Sequence, residues 1–167
     1  MTNQAHKIIL GLYQLLGGLL GVYLSLEIIQ SIEFFSTFIT ILLMIGFGLN
    51  FYSIFCGVLI LFRYEQGLKL SRLNQYLQVL SFSIGGYSFT YVAGIYISGA
   101  IDWSNRFKID AKLGFSTWQI TLNQYDGINI LFINVIAIIL IISINKHLRK
   151  INADKLSEQL LNLGEPT

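Results

Sequence analysis

Few residues of this chain have the type and spacing that catalysis or metal binding requires. Its two histidines, His6 and His147, fall short of the three or four protein ligands that zinc normally takes. The sequence has no phosphate-binding glycine loop and no G-x-S-x-G or H-E-x-x-H motif. No spacing pairs the carboxylates of the connecting segments for acid–base chemistry; these are Glu27, Glu33, Asp102, Asp110 and Asp126. We therefore predict no enzyme activity, no catalytic residue, no metal site and no cofactor.

The composition indicates where such a chain would reside. Of its 167 residues, 54% are hydrophobic and only 12% are charged, whereas a typical soluble domain has about 25% charged residues. So few charges cannot cover a water-soluble globule of this size. The composition argues against a soluble enzyme and a nucleic-acid-binding protein, and it predicts the lipid bilayer as the main partner. The single cysteine, Cys56, lies in an apolar run and is expected to be a buried, inert thiol.

Long apolar stretches predict membrane-spanning helices. About 20 apolar residues are needed to cross roughly 30 Å of hydrocarbon, and the backbone of such a stretch must form its own hydrogen bonds. The sequence therefore predicts an all-α integral membrane protein, a four-helix bundle that forms a single domain over residues 1–167. The first span is read as a retained helix because it is too long for a signal peptide. The four predicted spans cover residues 8–29, 34–62, 75–101 and 128–145.

The basic residues predict the orientation. Eight of the eleven fall on one side of the predicted spans, and only Arg106, Lys108 and Lys112 fall on the other. By the positive-inside rule, both termini and the tail of residues 146–167 are cytoplasmic, in a cell membrane such as the bacterial inner membrane. The eight are Lys7, Arg63, Lys69, Arg72, Lys146, Arg149, Lys150 and Lys155.

The segment between the third and fourth predicted spans has a different periodicity. Residues 106–113 and 118–123 alternate polar and apolar side chains around a short connection at residues 114–117. This pattern predicts a β-hairpin over residues 106–123 on the extracytoplasmic side. Its apolar face would pack on the helix ends or in the headgroup region, or else it would bind a partner by strand addition.

Polar residues inside the predicted spans suggest one interhelical cluster. Their distances from the midpoints of the predicted spans indicate a similar depth in the membrane for Asn50, Tyr87, Tyr91 and Asn134. Such groups either hold helices together by hydrogen bonds or line a small polar cavity.

Two glycines of the first span predict a close helix contact. Gly17 and Gly21 form a G-x-x-x-G pair, which lets another backbone approach closely. The contact would lie within the chain or at the interface of a homodimer.

Two functions fit these patterns. The leading hypothesis is a small non-catalytic membrane protein that serves as an accessory or scaffold subunit of a membrane or envelope complex, with a membrane-protein partner or as a homo-oligomer. The alternative is an oligomeric channel or carrier for a neutral small solute or a lipid-like ligand, using the polar cluster. The predicted spans have no aspartate, glutamate, histidine, lysine or arginine at their centres, which disfavours ion-coupled transport.

Overall fold

The computed structural model describes residues 3–32, 36–104, 106–122 and 127–163. Within them the chain forms four helices and a six-stranded sheet. Three helices come first, then all six strands, and the last helix follows directly. The elements are α1 (Asn3–Ser31), α2 (Thr37–Phe62), α3 (Tyr64–Val79), β1 (Leu80–Ile84), β2 (Tyr87–Val92), β3 (Tyr96–Asp102), β4 (Lys108–Gly114), β5 (Thr117–Thr121), β6 (Ile130–Asn134) and α4 (Val135–Leu163).

The helices α1 and α2 form a long antiparallel pair. They have 29 and 26 residues, so each is about 40 Å long. In the part of the chain that the structure describes, only these two helices are long and apolar enough to cross a membrane. Their backbones approach each other so closely at Gly18 and Gly57 that a Cβ added to either glycine would come within 3.0 Å of the opposite helix backbone.

The predicted four-helix membrane bundle is wrong. The first predicted span, 8–29, falls within α1. The second, 34–62, corresponds to α2 and its N-cap Ser36, apart from residues 34 and 35, which lie outside the described residues. The predicted span at 75–101 contains the end of α3 and strands β1 to β3, and the one at 128–145 contains β6 and the start of α4. Uncharged serine, threonine and tyrosine keep these strands apolar enough on average to resemble membrane helices.

The sheet is antiparallel throughout, with the strand order β4-β3-β6-β1-β2-β5. A tight hairpin joins β1 to β2 through Gly85 and Gly86, whose φ angles are +60° and +87°. Two consecutive residues with positive φ are typical of a two-residue hairpin loop, and glycine adopts them without steric cost.

The predicted hairpin at 106–123 is wrong in its pairing. Both strands exist, as β4 and β5, but β4 pairs with β3 and β5 pairs with β2, so they form opposite edges of the sheet. Residue 123 lies outside the described residues. Only Phe115 and Ser116 separate the two strands, so the Cα atoms of Gly114 and Thr117 lie within about 11 Å of each other. The sheet must therefore curl until its two edges converge at this end.

Short loops fix the curled sheet beside α1. Ser116 Oγ donates a hydrogen bond to the Gly17 carbonyl at 2.8 Å and accepts one from Gly94 N at 2.8 Å. The Tyr13 hydroxyl donates to the Ile95 carbonyl at 2.8 Å. The base of the sheet therefore lies near the middle of α1, and the strands extend alongside its second half.

Beneath the base of the sheet, α3 and the first half of α4 pack against α1 and α2. Asn134 ends β6 and caps α4, because its Oδ1 accepts hydrogen bonds from Ile136 N and Ala137 N at 3.1 and 3.4 Å. An apolar cluster fills this layer; its members are Leu10, Ile60, Leu68, Ile144 and Leu148.

Candidate functional site

The concave side of the sheet borders a cavity that is the candidate binding site. All six strands contribute to its wall, which a flat sheet could not provide, and its volume is about 290 Å³. We call this cavity the cup. The residues that line it are Ser81, Phe82, Ser83, Ser88, Thr90, Val92, Tyr96, Ser98, Lys112, Thr117, Gln119, Ile128, Ile130 and Phe132.

The two faces of the sheet have opposite polarity. Alternate residues of a strand point to opposite faces, and the strand positions that line the cup are mostly hydroxyl-bearing or amide-bearing. The other face is mainly apolar; it packs on the helices at Tyr91 and Trp118, and most of the rest of it is exposed. By this alternation the outward positions of the strands are Leu80, Phe82 (which also borders the cavity), Ile84, Tyr87, Phe89, Tyr91, Ile97, Gly99, Ile101, Ile109, Ala111, Leu113, Trp118, Ile120, Leu131 and Ile133.

Several polar groups at the cup have unused hydrogen-bonding capacity. Ser88 is only 7% exposed and its Oγ has no partner among the described residues. The Nδ2 atom of Asn134, which is paired in register with the cup residue Ser98 but does not itself line the cup, has none either. Buried polar groups normally find a partner, so the Ser88 hydroxyl can bind a group that enters the cup.

Within the part of the chain that the structure describes, Lys112 is the only charged residue that lines the cup. It lies on the edge strand β4 opposite Ser98, and its ammonium group reaches to 4.6 Å from the centre of the Phe132 ring. That distance is typical of a cation–π contact. No carboxylate of the described residues lies within 4.0 Å of its Nζ atom. The ammonium group is thus positioned by an aromatic ring and remains free to pair with an anion.

No protein-family model, curated protein or solved structure matches this chain. The assignment of function therefore rests on the geometry of the cup and its surroundings.

A hydrogen-bond network between the sheet and the helices supports the base of the cup. The Tyr91 hydroxyl lies 2.7 Å from the Leu49 carbonyl and 3.0 Å from Asn74 Oδ1. Asn74 Nδ2 donates to Ser53 Oγ at 3.2 Å, and Ser53 Oγ donates to the Gln14 carbonyl at 3.1 Å. This network joins β2 to α1, α2 and α3, so it holds the sheet at a fixed position on the helices.

The predicted cluster of Asn50, Tyr87, Tyr91 and Asn134 does not form one contiguous site. Asn50 is buried and donates to the Gly46 carbonyl of its own helix at 2.9 Å. Tyr91 bonds the neighbouring Leu49 carbonyl. Tyr87 is 51% exposed at the far end of β2, and Asn134 caps α4.

The two glycines of the G-x-x-x-G pair both permit close contacts within the chain. A Cβ on Gly21 would overlap the Asn50 amide of α2. A Cβ on Gly17 would come within 2.5 Å of Gly94 N, so Gly17 accommodates the β2–β3 loop rather than a helix.

The two histidines meet at the end of the helices opposite the sheet. Their rings stack with centroids 3.6 Å apart. His6 also lies 2.8 Å from the Tyr64 hydroxyl and 2.9 Å from Ser143 Oγ. Within the described residues, no group of three or more histidine, cysteine or carboxylate side chains could hold a metal ion.

Sequence reasoning missed most of the residues that line the cup. Those of β1 and β2 are Ser81, Ser83, Ser88 and Thr90, which alternate with apolar residues around Gly85–Gly86. This alternation and the glycine pair are the signals that could have identified the hairpin. Nothing local to Lys112 indicates that it lines a cavity with residues 30 positions away.

Proposed function

We propose that this protein is a membrane protein that binds a small polar ligand in the cup and performs no catalytic step. The observation that carries the proposal is the opposite polarity of the two faces of the sheet. Hydroxyl groups and one ammonium group lie among the residues that line its concave side, and the largely exposed convex side is mainly apolar. Such a wall can hold a hydrophilic ligand within apolar surroundings.

The position of the sheet supports a site within the bilayer. The strands lie beside the second half of α1, from Gly17 to Ser25. If α1 and α2 cross the membrane, the sheet lies at the depth of one lipid leaflet. The part of its convex side that does not pack on the helices then contacts lipid; Ile109 and Leu113 of β4 are each 75% exposed there. A polar interior with an apolar exterior is the arrangement that lipid favours in a curved sheet.

The charge distribution supports an orientation. The eight basic residues of the predicted inner side belong to the start of α1, the α2–α3 junction, α3 and residues 146–155 of α4. These parts lie toward the end opposite the cup. By the positive-inside rule, we propose that this end and both termini face the cytoplasm, so the cup belongs to the outer half of a cell membrane.

The helical layer beneath the cup favours binding over conduction. Leu10, Ile60 and Leu68 belong to an apolar cluster there, and Ile60 and Leu68 are fully buried. A hydrophilic solute would have to displace this cluster to pass through one molecule. The channel or carrier for a neutral solute is therefore the less supported alternative.

A role as an accessory or scaffold subunit is the second candidate. The exposed side chains of Ile109 and Leu113 favour it, because an apolar surface of this kind also suits a membrane-protein partner or a second copy of the chain. A photoreactive amino acid in place of Leu113, activated in native membranes, shows whether this surface contacts protein or lipid. A defined protein adduct supports the subunit role, whereas adducts with lipid alone contradict it.

Cysteine labelling tests the proposed binding site. Single cysteines replace Thr90 on the concave side and Leu113 on the convex side, in a Cys56→Ala background, and intact proteoliposomes receive a charged, membrane-impermeant maleimide. We expect modification at position 90 and none at position 113, because the thiol reacts as a hydrated thiolate.

Two outcomes contradict the proposal. Equal labelling at both positions means that the sheet lies in water outside the membrane. No labelling at position 90, while protein dissolved in denaturant is labelled, means that the cup is closed to hydrophilic molecules.

A further inference from the structure

The cup has the features of a site for a phosphate ester that also carries hydroxyl groups, and we propose this ligand class. The inference rests on the proposed function, since it assumes that the cup binds a polar ligand. Its basis is the juxtaposition of Lys112 and the unpartnered Ser88 hydroxyl around one cavity lined by further hydroxyl groups.

Charge is the first argument. Among the described residues that line the cup, Lys112 is the only ionisable one apart from the weakly acidic Tyr96, and its side chain is exposed to the cavity. The other charged residues on this face of the sheet, Asp102, Lys108 and Asp110, do not line the cavity. The charge that a ligand in the cup contacts directly is therefore the Lys112 ammonium group, which favours an anionic group on the ligand.

Hydrogen bonding is the second argument. Ser81, Ser88 and Ser98 are each at least 93% buried, and Thr90 and Thr117 add two more hydroxyl groups on neighbouring strands. Each hydroxyl can donate one hydrogen bond and accept others. Convergent donors suit a group with several acceptor oxygens, and a phosphate offers more of these than a carboxylate. Hydroxyl groups on the ligand would use the remaining acceptor capacity.

The edges of the sheet provide the third argument, which concerns access. The strands β4 and β5 are the two edges of the sheet, and β5 lies beside α1. Thr117 lines the cup and also a second cavity of about 350 Å³, which Leu24, Glu27 and Ile28 of α1 help to enclose. A lipid can therefore place its headgroup in the cup and its chains outside, while a soluble phosphate ester can enter without chains. Both sources share the same recognised chemistry.

Binding measurements on the full-length protein test the ligand class. Protein in phosphatidylcholine nanodiscs is titrated with sn-glycerol 3-phosphate by calorimetry. In parallel, protein from nanodiscs of equal phosphatidylglycerol and phosphatidylcholine is analysed by native mass spectrometry for retained lipid. Binding in the first arm alone identifies a soluble phosphate ester, and selective retention of phosphatidylglycerol identifies a lipid headgroup; either result supports the inference.

Variants show whether the cup is responsible. Lys112→Gln should weaken binding about tenfold or more, because a charge-assisted hydrogen bond is lost. Ser88→Ala should weaken it by a smaller factor. The matched control is Lys108→Gln, which removes a charge from the same strand at a residue that does not line the cup, and it should change affinity less than about twofold. Equal losses for Lys108→Gln and Lys112→Gln would indicate nonspecific charge attraction and overturn the inference.

The labelling at position 90 separates this inference from the proposed function. If the cup is labelled but neither phosphate probe binds, the cup holds a polar ligand of another class, and only the present inference is wrong. If position 90 is not labelled and neither probe binds, both are wrong.

Discussion

The indole Nε1 of Trp118 donates a hydrogen bond to Ser25 Oγ at 2.6 Å, joining β5 to the outer part of α1. Ser25 is fully buried and its hydroxyl donates in turn to the Gly21 carbonyl at 2.7 Å. The Trp118 ring packs on Gly46 of α2, where an added Cβ would come within 2.6 Å of it. This one side chain therefore connects the edge of the sheet to both long helices and fixes the depth of the cup along them.

Ser25→Ala should destabilise the protein by removing the acceptor for the Trp118 indole. We expect a loss of about 1–3 kcal/mol, the usual cost of a buried donor without a partner. Thermal unfolding in detergent, followed by tryptophan fluorescence, measures it. The double variant with Ser25→Ala and Trp118→Phe should lose less free energy of unfolding than the two single variants lose in sum, because the unpaired indole donor is then also removed. Strict additivity would show that the two side chains do not interact.

Gly17→Ala should separate the sheet from α1. Its Cβ would come within 2.5 Å of Gly94 N and 2.6 Å of the Ala93 carbonyl carbon, and we expect a cost of about 1–3 kcal/mol from overpacking. Gly48→Ala is the matched control, because no atom lies within 4 Å of its added Cβ. The control should be neutral or stabilising, since alanine favours a helix. Equal melting temperatures for the two variants would contradict this packing.

The two glycines of the β1–β2 hairpin should differ in how well they tolerate substitution. At Gly85, with φ of +60°, asparagine should be tolerated, because asparagine followed by glycine is a favoured hairpin pair. Alanine at Gly86, with φ of +87°, should cost about 1–2 kcal/mol from backbone strain. Chemical denaturation of both variants measures the difference. A Gly85→Asn variant that is the less stable of the two would contradict the turn geometry.

Two neighbouring amides of α3 should respond in opposite directions to apolar replacement. Both polar atoms of the buried Gln75 side chain lack partners among the described residues, so Gln75→Met should leave the melting temperature unchanged or raise it. Asn74 bonds both Ser53 and Tyr91, and Asn74→Leu should cost about 1–3 kcal/mol because those partners lose their bonds. A larger loss for Gln75→Met would mean that its amide has an essential partner.

Glu65 should hold the second half of α4 against α3 in a pH-dependent manner. Hydrogen bonds from Lys155 and Lys69 lower the pKa of its carboxyl group to about 2. Because the pKa falls on folding, the stabilisation is present above the ordinary carboxyl pKa of 4.5 and is lost as the pH falls toward 2. Hydrogen exchange at residues 150–161 should therefore accelerate between pH 4.5 and 2.

Glu65→Gln should give faster exchange in the same residues already at neutral pH. Glu158→Gln is its control, since Glu158 belongs to neither of the ion pairs of the described residues. Exchange that is independent of both pH and Glu65, after correction for the intrinsic rate, would contradict the contact.

Sequence reasoning worked best for the long apolar helices and failed for the central sheet. Unbroken apolar runs identify α1 and α2 directly, but the average hydropathy of β1, β2 and β3 is high enough to predict a helix there as well. The period of two in β1, with Ser81 and Ser83 on one face and Phe82 between them, predicts a strand instead. The strands β4 and β5 were identified from the same period. The strands with which they pair could not be identified from the sequence, because adjacent strands that are connected by a short turn usually pair with each other.

The sequence by itself determined which segments are apolar, where the basic residues lie and that β4 and β5 alternate. These properties depend on side-chain type and on neighbours within a few positions. Only the tertiary structure decided that β4 and β5 are opposite edges, that the polar face of the sheet is concave, and that Lys112 reaches Phe132. Those features depend on strand pairings and contacts between residues far apart in the chain, such as Ser116 with Gly17. Their free energy arises only when the whole sheet closes against the helices, so no local pattern reports it.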